Sequence, residues 1–198
     1  MKTIEQRIDE FKVDLKNESL SEMDIVRKNI TYGTPYIYQE NEELYYSLKK
    51  SISEQFDVNP LEIVMVGSSK LGFSISPKDD KLWKPYNDDS DIDIVIISEI
   101  LFNQLWKNLL SYNINLMSRT ENEDKNYKKF NEYFFKGWIR PDLLPCNYNI
   151  RKKWWEYIDS ISYKDISIGR KVRIANYKDF HYFESYHIQN IRNLKLKI

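Results

Sequence analysis

The sequence predicts an α/β (α+β) fold, in which strands and helices alternate along the chain. Short apolar runs bounded by turn residues, such as 61–66 and 91–97, are typical of buried strands. Longer segments with apolar residues at every third or fourth position lie between them and predict helices. Aromatic residues make up 15% of the 198 residues, while glycine and proline are scarce. This composition favours a packed fold over a disordered chain.

The first part of the chain, 1–58, is expected to consist of helices. Apolar side chains recur at helical spacing in 1–29 and, after an interruption at Gly33 and Pro35, again in 39–56. The first set is Ile4, Ile8, Phe11 and Leu15, and the second is Leu44, Leu48, Ile52 and Phe56. We therefore expect an amphipathic leading helix followed by a second helix.

The central part, 61–145, is expected to hold the core of the fold. The apolar run 61–66 is too short for a helix and predicts a buried strand that leads directly into Gly67. After it, 68–75 predicts two helical turns, and the polar, proline-containing stretch 76–90 predicts a loop. A strand, a helix and a third strand are then expected at 91–97, 99–110 and 133–139.

The C-terminal part, 146–198, is expected to add a helix, a basic strand and a closing helix. These segments are 150–162, 170–175 and 179–194. No repeat or low-complexity tract divides the chain, and its length suits one core, so we expect a single domain over 1–198.

The composition says more about the cellular compartment of the protein than about its binding partners. Thirty basic residues balance thirty acidic ones, so no global field draws the chain to nucleic acid or to anionic lipid. A single cysteine, Cys146, excludes an internal disulfide framework and favours a reducing compartment. No apolar run approaches the length of a membrane span, and the N-terminus lacks a secretory pattern. We expect a cytoplasmic protein that does not enter membranes.

Two aspartates enter the most strand-like segment of the chain, 90-SDIDIVII-97. Because side chains alternate along a strand, Asp91 and Asp93 are expected on one side, roughly 6 to 7 Å apart along the chain. Burying such charges is costly unless a partner compensates them. Mg²⁺ prefers a couple of carboxylates together with phosphate oxygens, so the pattern predicts a site for Mg²⁺ or Mn²⁺. The alternative is a loop-to-strand transition in which Asp91 caps a turn and Asp93 pairs with a basic residue.

The residues that follow the first predicted strand, 67-GSSK-70, suit a bound phosphate. Gly67 lets the backbone turn and approach a ligand closely. Ser68, Ser69 and the free amides of a helix start form an anion-binding cup, and Lys70 lies within reach of a phosphate. The alternative is an ordinary strand-to-helix turn with Ser68 as its cap.

Taken together, Gly67-Ser68 and the pair Asp91 and Asp93 resemble the motif of the nucleotidyltransferase superfamily, the DNA-polymerase-beta-like fold. The resemblance implies a mixed sheet flanked by helices, with a nucleoside triphosphate and Mg²⁺ or Mn²⁺ as ligands. It also implies transfer of a nucleoside monophosphate to an acceptor hydroxyl, with Asp91 and Asp93 as shared metal ligands. The acceptor stays open between a protein, an RNA, a small molecule and another nucleotide, and a partner protein is a possible means of recognising it.

Members of that superfamily often carry a third carboxylate on a later strand, which binds metal and helps to deprotonate the acceptor. Asp142, in 137-GWIRPDLLPC-146, is our candidate for this catalytic and metal-binding role. Pro141 and Pro145 flank it, so its segment is at best an edge strand or the end of one. Alternative carboxylates are Glu132, Glu156 and Asp159. If no third carboxylate is present, a non-catalytic nucleotide-binding or antitoxin-like module is expected, and a pyrophosphate-transferring synthetase is a further alternative.

Several other residues have simpler interpretations. His181 and His187 are six positions apart, which places them on different faces of a helix, and we read both as structural. Trp83 and Tyr86 could stack on a base, although a mobile surface loop is the simpler account of 76–90. The basic strand face with Arg170, Lys171 and Arg173 could contact triphosphate or only water. The interleaved basic and aromatic residues of 125–155 would suit a nucleic acid, but a core with solvated basic neighbours is simpler.

Overall fold

The structure, a computed structural model, describes residues 2–76, 80–114, 120–144 and 148–197, with only the backbone of 111–114. The chain has a mixed α/β architecture. Its α-helices are α1 (Ile4–Lys16), α2 (Glu22–Val26), α3 (Glu42–Phe56), α4 (Gly67–Leu71), α5 (Glu99–Ile114), α6 (Glu121–Phe135), α7 (Asn149–Ile161) and α8 (Phe180–Lys195). None of the helices described is both long enough and apolar enough to cross a membrane.

Within the described residues, four strands form one mixed sheet in the order β1-β2-β4-β3. They are β1 (Ile63–Val66), β2 (Ile92–Ile97), β3 (Trp138–Ile139) and β4 (Val172–Tyr177). The two outer pairs are antiparallel, whereas β2 and β4 in the centre run parallel. Parallel neighbours need a long crossover connection, and here the chain from α5 to α7 supplies it.

The N-terminal part contains more breaks than the sequence predicts. The expected leading helix is confirmed as α1, but it ends at Lys16. The rest of 1–29 forms α2 separately and then enters one turn of π-helix, Arg27–Thr31. At the start of α2 the Ser21 hydroxyl accepts a hydrogen bond from the Asp24 amide, and the Asp24 carboxylate accepts one from the Ser21 amide, which forms a capping box. The predicted second helix is confirmed as α3.

The sheet separates two apolar cores. Ile92, Ile94 and Ile96 of β2 face a core shared with α3, α5 and α7. Val95 and Ile97 point to the opposite face and pack with residues of α1, α2 and α8. The alternation expected for this strand is therefore confirmed, and both of its faces are covered by helices.

The predicted third strand over 133–139 is wrong in most of its length. Helix α6 continues to Phe135, and only Trp138 and Ile139 pair with β4. Gly137 makes the turn between them with φ of +66°, and a Cβ there would stand 2.4 Å from the ring of Tyr182. The turn therefore requires glycine. Strand β3 is a two-residue edge that pairs only with Asn176 and Tyr177, so the first four residues of β4 have no strand partner on that side.

Candidate functional site

A cleft of about 670 Å³ opens at the end of the sheet where β1 ends and where β2 and β4 begin. In the strand pairing, Val66 lies opposite Asp93, and Asp93 lies opposite Arg173. The chain after β3 runs to the same end and adds Arg140 and Asp142. Residues far apart in sequence thus meet here because the antiparallel and parallel pairs bring opposite strand ends together.

Gly67 and Asp93 approach each other closely in this cleft. Gly67 has φ of +69°, and a Cβ built on it would stand 3.0 Å from Oδ2 of Asp93. The Asp93 carboxylate therefore lies directly against the backbone of the Gly-Ser turn, in a position that only glycine leaves free. The structure brings together the two sequence elements that carried the resemblance.

Asp93 is the more enclosed member of the aspartate pair. Desolvation in the cleft raises the pKa of its carboxyl to about 6. The positive charges of Arg173 and Arg140 oppose this rise in the pKa, while the neighbouring Asp91 and Asp142 add to it. A cation placed here would therefore relieve both the burial cost and the repulsion between carboxylates.

Asp91 stands immediately before β2, which begins at Ile92. Its Oδ2 atom lies 2.6 Å from a guanidinium nitrogen of Arg173. The alternative interpretation of the sequence expected a basic partner for one aspartate of the pair. It assigned that partner to Asp93, whereas among the described residues the ion pair is made by Asp91.

Asp142 lies in a 3-10 turn, Pro141–Leu143, just after the edge strand β3. It lines the same cleft as Asp93, but Arg140 binds both of its carboxylate oxygens, at 3.1 and 2.6 Å. Among the residues that the structure describes, no three acidic, histidine or cysteine side chains form a group that could hold a metal ion. A metal ligand role for Asp142 stays a prediction, because the arginine now occupies its oxygens.

The serines and the lysine of the Gly-Ser turn have different surroundings. Ser69 is buried and donates its hydroxyl hydrogen to the carbonyl of Val66, whereas the half-buried Ser68 hydroxyl makes no hydrogen bond to the described residues. Lys70 is buried with its ammonium against the carbonyl oxygens of Tyr32, at 2.6 Å, and Gly33. Burial, reinforced by nearby positive charges, lowers the pKa of Lys70 to about 8.

The predicted phosphate-binding residues do not all lie at the same site. Gly67 lines the cleft, whereas Lys70 lines a separate small pocket beside α1. A phosphate contact by Lys70 would require its ammonium to leave two backbone carbonyls. The structure therefore gives Lys70 the contacts of an anchor for α4, and its predicted role toward phosphate is untested.

Aromatic side chains also line the cleft, and none of them was among the residues predicted for this site from the sequence. Trp138, Trp155 and Tyr186 line it, as does His187 of α8. Both ring nitrogens of His187 are buried without a hydrogen-bond partner among the described residues, and burial lowers the pKa of His187 to about 4. Trp138 reaches the site from β3, Trp155 from α7, and Tyr186 and His187 from α8, so their meeting depends on tertiary packing and not on a local pattern.

The alternative site residues lie elsewhere. Glu132, Glu156 and Asp159 are exposed on helices and do not line the cleft. Trp83 packs against Phe11 and Phe73, with ring centroids 6.2 and 5.8 Å apart. Backbone hydrogen bonds also fasten Trp83 and Tyr86 to the chain after α4, so the described part of the predicted loop is held in place.

Comparison of the chain with models of known protein families, with curated proteins and with solved structures gave no match in any of the three cases.

Proposed function

We propose that this cleft binds a nucleoside triphosphate with Mg²⁺ or Mn²⁺ and transfers the nucleoside monophosphate to an acceptor hydroxyl. The observation that carries the proposal is the approach of the Asp93 carboxylate to Gly67, at a distance that would leave a Cβ only 3.0 Å from Oδ2. Phosphate held at the Gly-Ser turn would then adjoin the carboxylates that hold its cation. The nucleotidyltransferase-like fold and the activity are both part of this proposal.

The donor set fits a hard divalent cation. Asp91 and Asp93 supply carboxylate oxygens, and Mg²⁺ commonly takes one or two carboxylates and completes its shell with water and substrate phosphate. Burial and the neighbouring carboxylates, which raise the pKa of Asp93 to about 6, disfavour its uncompensated negative charge, and a bound cation would compensate that charge. Bound there, the cation would neutralise phosphate charge and make the acceptor hydroxyl more acidic.

The chain's own residues would position the reacting groups. In the transfer, the acceptor oxygen forms a bond to the α-phosphorus, the bond from that phosphorus to the bridging oxygen breaks, and pyrophosphate leaves. Asp142, which lines the cleft, is the candidate to receive the acceptor proton once Arg140 releases its carboxylate. Gly67 keeps the space beside Asp93 free, and positioning of this kind supplies much of the rate in phosphoryl chemistry.

A second candidate function is a nucleotide-binding module that does not catalyse transfer. The ion pair between Arg140 and Asp142 favours it, because a carboxylate held at 2.6 Å by a guanidinium is not free to accept a proton or a metal. Binding without turnover then requires only Gly67, Asp91 and Asp93.

The test is to incubate the protein with each α-labelled nucleoside triphosphate, Mg²⁺ or Mn²⁺ and a cell lysate. The double variant Asp91→Ala, Asp93→Ala is compared with the matched control Asp88→Ala, Asp89→Ala, which changes two exposed acidic residues of the preceding loop. We expect label transfer by the wild type and by the control, and none by the Asp91, Asp93 variant. Transfer that persists in the latter contradicts the mechanism.

The same experiment separates the remaining alternatives. Sensitivity of the labelled product to protease or nuclease identifies a protein or an RNA acceptor, and a product resistant to both is a small molecule. If the wild type binds nucleotide in a manner that depends on Asp91 and Asp93 but never transfers label, the non-catalytic function is supported. If it binds no nucleotide, both functions are wrong.

A further inference from the structure

Two of the three carboxylates at the cleft already have a cationic partner there. Arg173 contacts Asp91 at 2.6 Å, and Arg140 binds Asp142 with two of its nitrogens. Lys171 also lines the cleft. These ion pairs are only partly buried: the side chain of Arg173 is 51% exposed and that of Arg140 22%. They can therefore separate when a better partner arrives.

The charges at the cleft cancel. Among the described residues, Arg140, Lys171 and Arg173 stand against Asp91, Asp93 and Asp142. A divalent cation that binds alone must displace arginines from carboxylates, and a polyphosphate that binds alone must displace carboxylates from arginines. If the cation binds alone, the arginines lose their partners, and if the polyphosphate binds alone, the carboxylates lose theirs. When both bind, the carboxylates pair with the cation and the arginines pair with the polyphosphate, so every charge keeps a partner.

We infer that Arg140 and Arg173 bind the polyphosphate of the nucleotide, and that cation and polyphosphate bind cooperatively because each releases the partner of the other. This inference rests on the proposed function. It adds two phosphate-binding arginines and a reason why neither ligand binds well by itself. Linkage makes the coupling reciprocal, so each ligand must raise the affinity for the other by the same factor.

The placement of Arg140 suits phosphate as well as carboxylate. Its guanidinium lies 5.6 Å from the ring centroid of Tyr133 and 5.4 Å from that of Trp138, so aromatic contacts hold it independently of Asp142. The planar fork that now meets both oxygens of Asp142 matches two oxygens of a phosphate equally well.

The position of Arg173 is set by the pairing of its strand. It lies on β4 opposite Asp93 of β2, so its side chain starts beside the carboxylate that adjoins Gly67. A phosphate at the Gly-Ser turn and a cation on Asp93 would therefore both lie near this arginine. Arg170, three positions earlier, instead pairs with Asp88 outside the cleft and offers a matched control.

The experiment measures two affinities in the double variant Arg140→Gln, Arg173→Gln. Binding of Mn²⁺ alone is followed by the EPR signal of the free ion, and binding of inorganic tripolyphosphate in the presence of Mn²⁺ is followed by calorimetry. We expect Mn²⁺ alone to bind about 3- to 10-fold more tightly than in the wild type, because its carboxylates are released. Tripolyphosphate should bind at least about 10-fold more weakly, because two charged donors are lost.

The two affinities are expected to change in opposite directions. This result distinguishes an exchange of charge partners from misfolding, because a misfolded variant would lose both affinities. Arg170→Gln should change neither affinity, and circular dichroism checks that all variants fold. Unchanged or weaker Mn²⁺ binding in the double variant, or unchanged tripolyphosphate binding, overturns the inference while leaving the proposed function standing. A wild type that binds neither Mn²⁺ nor tripolyphosphate with Mn²⁺ overturns both.

Discussion

Oδ2 of Asp93 lies so close to Gly67 that a methyl group on that glycine would stand 3.0 Å away from it. The turn that follows β1 and the second residue of β2 therefore approach each other closely at the site itself. Any side chain at position 67 must either move Asp93 or move the turn.

Gly67→Ala should therefore weaken Mn²⁺ binding and lower the free energy of unfolding by about 1–2 kcal/mol or more, through the positive φ and the contact with Asp93. Gly169→Ala is the matched control, because Gly169 has φ of +65° but nothing within 4 Å of an added Cβ. Chemical denaturation and EPR titration measure the two effects. Equal Mn²⁺ affinities in the two variants would show that the contact at Gly67 does not position Asp93.

Lys70→Met should lower the free energy of unfolding by about 1–3 kcal/mol, because the carbonyls of Tyr32 and Gly33 lose their buried donor. Lys50→Met, on an exposed helix position, is the control and should be close to neutral. Tripolyphosphate affinity of the folded variant should equal that of the wild type, since Lys70 does not line the cleft. A tenfold loss of that affinity with unchanged stability would instead assign Lys70 to phosphate, as the sequence predicted.

His187 should make the protein less stable as the pH falls from about 6.5 to about 4. Burial lowers its pKa from 6.5 to about 4 in the folded state, so between these values the unfolded chain binds a proton that the folded chain does not. Above pH 6.5 this titration does not change the free energy of unfolding. As the pH falls from 6.5 through about 4, that free energy decreases by about 3 kcal/mol in all.

The variant His187→Leu should remove this part of the pH dependence, and it should be at least as stable as the wild type near pH 7, because two unpartnered buried nitrogens disappear. His181→Leu, an exposed position on the same helix, should keep the dependence. Urea denaturation at several pH values measures the difference between variant and wild type. A constant difference from pH 7 to pH 4 would contradict the prediction.

Trp154 should stabilise the open edge of β4. Its indole nitrogen donates a hydrogen bond to the carbonyl of Ile174, at 3.0 Å, where β3 does not reach. Trp154→Phe should lower the free energy of unfolding by about 1–3 kcal/mol, since that buried carbonyl is left without a partner. Trp155→Phe makes the same chemical change at the neighbouring, half-buried position and should cost clearly less in thermal denaturation.

Helices and strands with strong local patterns could be predicted from the sequence. The alternation in 91–97 and the four-residue interval of 39–56 both correspond to observed elements, β2 and α3. Asp93 and Gly67 could be selected because each stands at a position where an apolar run begins or ends. In these cases the local periodicity and the final packing favour the same conformation.

The remainder depends on contacts between distant segments. Helix α6 extends into the predicted third strand because Phe130 and Phe134 pack into the core beside Phe102, which the aromatic composition of 133–139 does not indicate. The arginine partners of Asp91 and Asp142 could not be assigned either. They depend on the register of β4 beside β2 and on the turn after β3.

The parallel pairing of β2 with β4 also has a consequence for synthesis of the protein. Asn176 of β4 donates a hydrogen bond to the carbonyl of Ile96, a residue 80 positions earlier. Until β4 has been made, the backbone N–H and C=O groups along one edge of β2 have no strand partner, and Asp93 has no Arg173 beside it. Chains terminated before residue 172 should therefore aggregate or be degraded, and they should lack the cleft, because residues of β4 line it.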